Sequence, residues 1–530
     1  MDSTVDIDHF LAHLQVKWLG LGFKSLCATV IGLHLAALFG WYAVSWVASP
    51  LRKYNGPFLA VTNFWRFALV CTRSNYYKTV KKLHDEHGPV LRLGPNLLSL
   101  DYPELIKTIY STDGKWKKTE AYENNSTVVD GKITYNVFST TDQAEHARMK
   151  RPVAKYYTTG SALAVEGHMD AMIDELCSHI EQRFIEGDNK PKAFDFGKWI
   201  GYFMFDLVTK LTFSYPFGYM KNGCDFDHLL ESSEKVIDYF QRIGQLPWLD
   251  FWLDKNPIMK IGPPNLDNTA RIAVDFMTRR MQGTDDYDAR TPDFLQHFVD
   301  AKATHPDLVD NSMILSHTLI NMEAGADSVA IILRSAFYYG LRSPETYRKL
   351  EAEILAAGLD GEKPVPYSVA RQLPYLEAFI RESLRIHPVV AMPLERYVPE
   401  GGLKLPDGSF VPPGTAVGIN PYIVGRNKAV FGEDSDEWSP ERWLQAPGED
   451  DEAYQQRLKR MNAGDLSFGA GSRICLGKNL AYLELYKTLA TLVNRFEIEL
   501  ADPSKEWHVL GSWLTIQKGV IVKMKLRKTV

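Results

Sequence analysis

The sequence has few cysteines, no excess of basic residues and no internal repeat. Its five cysteines are odd in number and irregularly spaced over 530 residues, which argues against a disulfide framework and a clustered zinc site. The net charge of −5 excludes a strongly basic nucleic-acid-binding protein. Glycine and proline are scattered, which excludes low-complexity and solenoid classes. The motifs described below each occur once, and this predicts one large domain.

The most informative segment surrounds Cys475. It reads Phe-Gly-Ala-Gly-Ser-Arg-Ile-Cys-Leu-Gly over residues 468–477, and its glycines let the backbone turn tightly and approach the sulfur. Apolar residues at helical spacing over residues 476–495 predict a buried helix. We therefore expect Cys475 at a helix N-terminus, where the helix dipole and free N–H groups favour a thiolate. A lone Cys-x-Gly would more simply be a structural buried cysteine.

The full pattern, F-x-x-G-x-R-x-C-x-G, resembles the ligand loop of the cytochrome P450 family. The resemblance implies a mainly α-helical domain with a small β-sheet region. It also implies a haem b cofactor whose iron takes Cys475 as its axial metal ligand, and such a thiolate promotes cleavage of bound dioxygen. Arg473 and Phe468 become cofactor-binding residues, with Arg473 neutralising a haem propionate.

A Glu-x-x-Arg motif precedes this loop. Glu382 and Arg385 are three residues apart and face each other on one turn of a helix, which is predicted to start at Pro374 and to end before His387. Such a pair alone is usually a solvated surface pair. The resemblance adds Arg442 and implies a structural triad that holds the fold around haem and takes no part in the chemistry.

An Ala-Gly-Ala-Asp-Ser sequence at residues 324–328 lies inside a proline-free run from about 312 to 341. The run predicts one long helix, and Gly325 suggests a local widening because a mid-helix glycine is costly. The resemblance makes Asp327 and Ser328 the catalytic acid–alcohol pair that delivers protons. The alternative is a core helix with a backbone-bonded serine. The family more often has threonine here, and serine lacks the methyl group that fixes its rotamer.

Further cations are expected around the cofactor. His146 and Lys150 are one helical turn apart, and the resemblance makes them contacts of a haem propionate. Arg396, on a strand after the Glu-x-x-Arg helix, resembles a further propionate contact. A solvated basic helix face is the competing interpretation for the first two.

Residues 25–48 carry no acidic or basic side chain except His34 and are long enough to span a bilayer. A buried core helix is the alternative. We expect a single-pass protein of the endoplasmic reticulum membrane with its catalytic domain in the cytosol. The predicted division is a lumenal N-terminus (1–24), a transmembrane anchor (25–48), a hinge (49–60) and a haem-thiolate catalytic domain (61–530).

The substrate pocket is predicted to be hydrophobic and to be lined by the 115–138 loop and by aromatic residues from 214–262. It should also include Asn321 and Ala324 and be completed by 389–392 and 511–515. These residues indicate a hydrophobic small organic molecule without choosing its class. The similarity to fungal microsomal members favours the tailoring of a secondary metabolite.

The leading functional hypothesis is a monooxygenase that uses dioxygen and takes electrons from NADPH through a cytochrome P450 reductase. One alternative of the same fold is an isomerase or dehydratase that needs no external electrons. Such members often lack the acid–alcohol pair. The other alternative is a non-catalytic haem-binding protein, which needs neither that pair nor a substrate channel.

Overall fold

The computed structural model describes residues 7–527 except 73–75, 130, 257, 260, 262–266, 288 and 512. Most of this part is α-helical, and its strands form small sheets, which confirms the predicted fold class. The helices are α1 (Ile7–Ala48), α2 (Asn63–Cys71), α3 (Tyr76–His87), α4 (Ile106–Ile109), α5 (Gln143–Val153), α6 (Thr159–Ala164), α7 (Glu166–Phe184), α8 (Phe196–Phe213), α9 (Tyr219–Asn222), α10 (Leu229–Ile243), α11 (Trp248–Leu253), α12 (Asp267–Gln282), α13 (Phe294–Thr304), α14 (Asn311–Arg342), α15 (Pro344–Ala356), α16 (Tyr367–Ala370), α17 (Pro374–Ile386), α18 (Pro421–Val424), α19 (Lys428–Phe431), α20 (Asp451–Gly464) and α21 (Lys478–Arg495).

The strands are β1 (Val90–Gly94), β2 (Leu97–Leu100), β3 (Thr127–Val129), β4 (Lys132–Thr134), β5 (Ile185–Glu186), β6 (Lys190–Pro191), β7 (Phe194–Asp195), β8 (Arg396–Tyr397), β9 (Leu403–Lys404), β10 (Phe410–Val411), β11 (Ala416–Ile419), β12 (Phe496–Leu500), β13 (His508–Gly511), β14 (Thr515–Lys518) and β15 (Ile521–Leu526). The largest sheet has the strand order β1-β2-β11-β8. The sequence around residues 88–100 predicts two short strands, which residues of 403–420 should join. Strands β1 and β2 form this antiparallel pair, and β11 joins β2 in parallel. Among the described strands, β9 and β10 pair only with each other, so β11 is the part of 403–420 that joins the sheet.

Helix α14 runs through the main hydrophobic core. Its 32 residues span about 48 Å, and the Asp310 carboxylate caps its start by accepting the Met313 N–H at 2.8 Å. Helix α8 packs closely against it: a Cβ on Gly325 would lie 2.6 Å from Cγ2 of Val208. The helix is regular through Gly325, so the predicted widening is wrong. The glycine is needed because two helices approach each other there.

The N-terminal helix α1 contains one segment, Lys24–Ala48, that is long and apolar enough to cross a membrane. None of that segment is buried against the rest of the protein, which removes the alternative of a core helix. The helix begins at Ile7, so most of the predicted lumenal stretch continues the same helix, and residues 1–6 lie outside the described part.

The predicted hinge packs on the domain. Leu51 is fully buried, and the Asn55 carbonyl accepts the Arg92 N–H of β1 at 2.8 Å. A Cβ on Gly56 would lie 2.4 Å from the Arg92 carbonyl oxygen, so the chain can lie this close to β1 only with glycine there. The segment after the anchor is thus docked onto the sheet, although its boundaries at 49 and 60 stay a prediction.

Candidate active site

A cavity of about 400 Å³ lies between the middle of α14 and the loop that precedes α21. The loop contributes residues 466–477, including Cys475, and α14 contributes Asn321, Glu323, Ala324 and Ser328. Helices α5 and α10 and the segment 389–396 complete the wall. The cavity therefore brings together most of the candidate site residues from distant parts of the sequence.

The cysteine loop has the tight backbone that its glycines predict. Gly469 and Gly471 have φ angles of 68° and 66°, in the left-handed region. At Gly471 a Cβ would lie 1.8 Å from the Tyr110 carbonyl oxygen, so only glycine fits. The Cys475 N–H donates to the Phe468 carbonyl at 2.8 Å and closes the loop. These contacts fix the sulfur at the cavity wall.

Cys475 is exposed only because its side chain opens into the cavity. Burial raises the pKa of its thiol, and the Gly477 N–H and Lys478 only partly oppose this effect. Helix α21 begins at Lys478, two residues later than predicted, so Cys475 lies before the helix and not in its first turn. The effect expected of the helix N-terminus is present in the Gly477 N–H, which lowers the pKa of the thiol, but burial acts in the opposite direction and is the larger effect.

Cations surround one end of the cavity. His146 and Lys150 come from α5 and Arg396 from β8, and all three line the wall, as does Arg473. Arg473 donates to the Thr140 and Asp142 carbonyls at 2.8 and 3.2 Å, and its Nε has no hydrogen-bond partner among the described residues.

The structure adds Lys118 to this group. Its Nζ donates to the Phe138 carbonyl at 2.5 Å, and its backbone bridges to Arg396. Lys118 lies in the loop 115–138 that is predicted to line the pocket, but no motif marks it as a cofactor contact. We call Lys118, His146, Lys150, Arg396 and Arg473 the cation ring.

The cation ring lacks compensating negative charge. In the described part of the chain no ion pair joins any of the five to a carboxylate, and the neighbouring Glu395 is held by Arg66 at 2.6 Å. Burial, followed by repulsion from Arg473 and other cations of the ring, lowers the pKa of His146 to about 3. Burial and then Arg396 and Arg473 hold the pKa of Lys118 well below its usual value. Buried charge of one sign is costly without a partner, so this end suits a dianionic ligand.

The acid and the alcohol on α14 point in different directions. Asp327 is buried and its Oδ2 accepts the Ser233 hydroxyl of α10 at 2.9 Å. Burial raises the pKa of Asp327 to about 6, against the opposing charge of Arg334. The Ser328 hydroxyl lines the cavity and donates to the Ala324 carbonyl at 2.7 Å. The two side chains share no direct hydrogen bond, so serine here is backbone-bonded, as the structural alternative predicts.

The Glu-x-x-Arg motif forms a buried network behind the cysteine loop. Glu382 is fully buried and its oxygens accept from Arg385 Nη2 and Nε at 2.6 and 2.8 Å. Arg442 Nε reaches Glu382 at 3.4 Å, and Trp443 Nε1 donates to it at 2.9 Å. None of these four residues lines the cavity. The network has the geometry of a structural triad, with a tryptophan that the sequence pattern did not single out.

These features agree with the comparison to known proteins. The family model described as Cytochrome P450 matches residues 56–524. This chain belongs to the cytochrome P450 family. It is 44% identical over 505 residues to Cytochrome P450 monooxygenase cfoH of Aspergillus candidus, which covers 95% of this chain and 93% of the relative. It is 33% identical over 486 residues to Cytochrome P450 monooxygenase cicH of Emericella nidulans, which covers 91% of this chain and 95% of the relative.

Membership of the cytochrome P450 family implies haem and an oxygen-incorporating oxidoreductase. The residues present fit that cofactor, because a thiol faces the cavity and the cation ring matches two propionates. Phe468 also lines the cavity, and its ring packs against Tyr482 with centroids 5.1 Å apart.

The predicted lining of the cytochrome P450 pocket agrees with the structure in part. The cavity is lined, as expected, by Tyr122 and Phe138 of the 115–138 loop and by Asn321, Ala324, Val389, Val390, Trp513 and Leu514. Of the aromatic residues expected from 214–262, Phe240 alone lines it. Trp248, Phe251 and Trp252 of α11 are exposed instead. Aromatic composition alone cannot distinguish a short helix at the surface from one at the cavity.

Proposed function

We propose that this chain is a haem-thiolate monooxygenase that inserts one atom of dioxygen into a hydrophobic small organic substrate. The observation that carries the proposal is the single cavity wall shared by the Cys475 thiol and the uncompensated cation ring. When bound, haem b would supply the redox and oxygen chemistry, and the Cys475 thiolate would hold its iron. The roles below concern what this chain's own side chains do.

The cation ring binds and orients the cofactor. Arg473 and Lys150 are tied to backbone carbonyls of the neighbouring loops, and Lys150 donates to Ser472 at 3.1 Å. Their positions are therefore fixed before the cofactor arrives. Two propionates would replace the repulsion within the ring by attraction, so that binding and folding stabilise each other. Phe468 packs beside the cysteine and limits water at the sulfur.

Asp327 and Ser328 handle protons on the opposite side. A carboxyl with a pKa of about 6 exchanges its proton readily near neutral pH. Ser328 presents its oxygen to the cavity while its hydrogen bonds to the Ala324 carbonyl. Since the two groups do not touch, a proton passing from one to the other needs a water molecule or a rotation of Asp327 away from Ser233.

Electrons are supplied from NADPH by a cytochrome P450 reductase, and the anchor holds the enzyme in the endoplasmic reticulum membrane with its domain in the cytosol. The apolar, unburied segment Lys24–Ala48 supports the anchor. Exposed Phe58 and Leu59 follow it directly, and the ring of Phe58 contacts Tyr42 of α1 at 4.6 Å. Protease added to sealed microsomes should digest the domain, and protection would contradict the orientation.

The cavity supports a hydrophobic substrate, and resemblance to fungal members favours secondary-metabolite tailoring. Apolar side chains from α8, α10 and α14 dominate the half of the cavity that faces away from Cys475, among them Val208, Ile237 and Ile320. The acid and alcohol on α14 favour a monooxygenase over an isomerase or dehydratase. A requirement for NADPH and reductase separates these alternatives directly.

The proposal is tested by spectroscopy followed by turnover. Reduced holoprotein with carbon monoxide should show the red-shifted Soret band that gives the family its name, and Cys475→His should move it to the position of histidine-ligated haems. Cys177→Ser, a buried cysteine outside the cavity, is the matched control and should keep the band. A histidine-type band in the folded wild-type protein would contradict the assignment, as would turnover without NADPH.

A further inference from the structure

Glu323 is an acidic side chain in the wall of the cavity. It lies on α14 and its Oε1 is buried without a hydrogen-bond partner among the described residues. Asn125 hydrogen-bonds its carboxyl group, and Lys255 acts on it only weakly. The Lys255 Nζ is already engaged by Ser126 and by the carboxylates of Asp250 and Asp254. Glu323 thus has no ion-pair partner in the part of the chain that the structure describes.

Keeping this group is costly for the protein alone. A buried polar atom without a hydrogen-bond partner destabilises the folded state. Burial raises the pKa of Glu323 to about 8, against the Asn125 hydrogen bond, so the carboxyl is mostly protonated near neutral pH. A protonated carboxyl both donates and accepts a hydrogen bond.

The two cavity-lining polar side chains nearest to Glu323 on this helix are satisfied within the protein, whereas Nε2 of His317, further towards the start of the helix, has no hydrogen-bond partner among the described residues. Asn321 accepts from the Tyr157 hydroxyl at 3.0 Å and donates to Thr212 at 2.9 Å. Ser328 donates to Ala324. Glu323 therefore has an unused hydrogen-bonding group, and the cavity wall to which it belongs also contains apolar side chains such as Ile320 and Val208.

We propose that Glu323 is a specificity-determining residue that hydrogen-bonds a hydroxyl group on an otherwise apolar substrate. A hydroxyl matches a protonated carboxyl because each can donate and accept. Glu323 precedes Ser328 by five residues, which is about 7.5 Å along the helix axis and about 140° around it. The two side chains therefore reach different parts of the cavity wall. This inference rests on the proposed function.

The test uses ferric holoprotein and matched probes that differ only in the hydrogen-bond donor. The probes are para-phenylphenol and its methyl ether, and beta-naphthol and its methyl ether, each titrated by its Soret shift. For the wild type we expect each phenol to bind about tenfold more tightly than its ether, which corresponds to one hydrogen bond. In Glu323→Leu the ratio should fall to about one, mainly through weaker binding of the phenols.

Two further variants separate anchoring from a structural role. Glu323→Gln keeps the shape and one donor, and it should retain part of the preference for phenol. Glu231→Gln removes an exposed carboxylate on the outer side of α10 and should leave the ratio unchanged. An equal ratio in wild type and Glu323→Leu, or no preference for phenols in the wild type, would overturn the inference.

The titrations need bound haem but neither oxygen nor reductase. Failure of the Glu323 inference is therefore distinct from failure of the monooxygenase proposal. The latter would appear as a histidine-type carbon monoxide band or as turnover without NADPH. A Glu323→Leu protein that loses haem would be replaced by Glu323→Gln. An unchanged ratio of phenol to ether affinity in that variant would also contradict the proposed role of Glu323.

Discussion

The two sides of the cavity differ in how completely their polar groups are satisfied. Behind the cysteine loop, Glu382 receives hydrogen bonds from Arg385, Arg442, Trp443 and the Ser439 N–H, and its burial is complete. On the α14 side, Asp327 has Ser233, and Glu323 has an oxygen without a partner. The saturated side suits a fixed scaffold, whereas the unsaturated side retains groups that can still bind or transfer a proton.

The largest effect is expected on the saturated side. Glu382→Ala leaves buried Arg385 and Arg442 without their shared carboxylate, and breaking a buried network of this kind costs about 3–5 kcal/mol. We expect little or no haem-containing protein. Glu433→Ala, at an exposed surface pair, is the control and should behave as wild type. Haem content per protein and thermal unfolding measure the difference, and a stable, haem-replete Glu382→Ala would show that this side is not a scaffold.

Removing a cation of the ring should have different effects on the apoprotein and on the holoprotein. Lys118→Met removes a buried cation that is repelled by Arg396 and Arg473, so the apoprotein should be at least as stable as wild type. The holoprotein should lose about 1–3 kcal/mol of cofactor binding, because a propionate loses its partner. Haem transfer to apomyoglobin gives the rate of loss. Exposed Lys117→Met is the control, and equal loss rates in both variants would remove Lys118 from the ring.

A smaller effect is expected at Ser328. Ser328→Ala should keep haem and the thiolate-type carbon monoxide band, while product per NADPH falls and released peroxide rises. The loss should fall short of the roughly hundredfold that a positioned proton donor contributes, because water can replace a hydroxyl. Ser328→Thr should couple at least as well as wild type, since its methyl group restricts the rotamer. Unchanged coupling in Ser328→Ala would make the hydroxyl purely a helix back-bond.

The smallest effect is a pH dependence of stability at Asp327. Its folded pKa of about 6 lies above its ordinary value of 3.8, so the folded state holds the proton more tightly than the unfolded state. Its contribution to stability is therefore fully present below pH 3.8 and is lost as pH rises to about 6. Asp327→Asn cannot ionise, so its melting temperature should rise relative to wild type over that range and then stay parallel. A constant difference would contradict the raised pKa.

The sequence predicted the scaffold better than the cavity. Helix α17 begins at Pro374 and ends before His387, as proline placement requires, and α14 runs unbroken over the predicted proline-free stretch. These features depend on local backbone chemistry. The sequence predicts that the loop with Lys118 lines the pocket, but not its role as a cofactor contact, because that role arises only when three distant segments meet. Trp248 was misplaced because exposure depends on packing that composition does not encode.

Gly325 also shows that a sequence pattern can indicate an unusual feature without specifying its structure. Glycine within a helix predicts some departure from ordinary helix packing, and a widening of α14 is one such departure. The structure has the other, a close approach of Val208 from α8. Gly325 therefore correctly indicated unusual helix packing, but the kind of packing depended on α8, which lies more than a hundred residues away in the sequence.

That contact also bears on how relatives of this chain can diverge. Any side chain at position 325 would meet the stiff, β-branched Val208, at a cost of about 1–3 kcal/mol for overpacking. A change at either position therefore needs a compensating change at the other. New substrate ranges are more easily reached by varying cavity-lining positions outside this contact, such as Val236 and Ile237 of α10. Substitutions that change the substrate range should therefore accumulate at cavity positions outside the α8–α14 contact. The cavity positions on α8 and α14 should change more slowly.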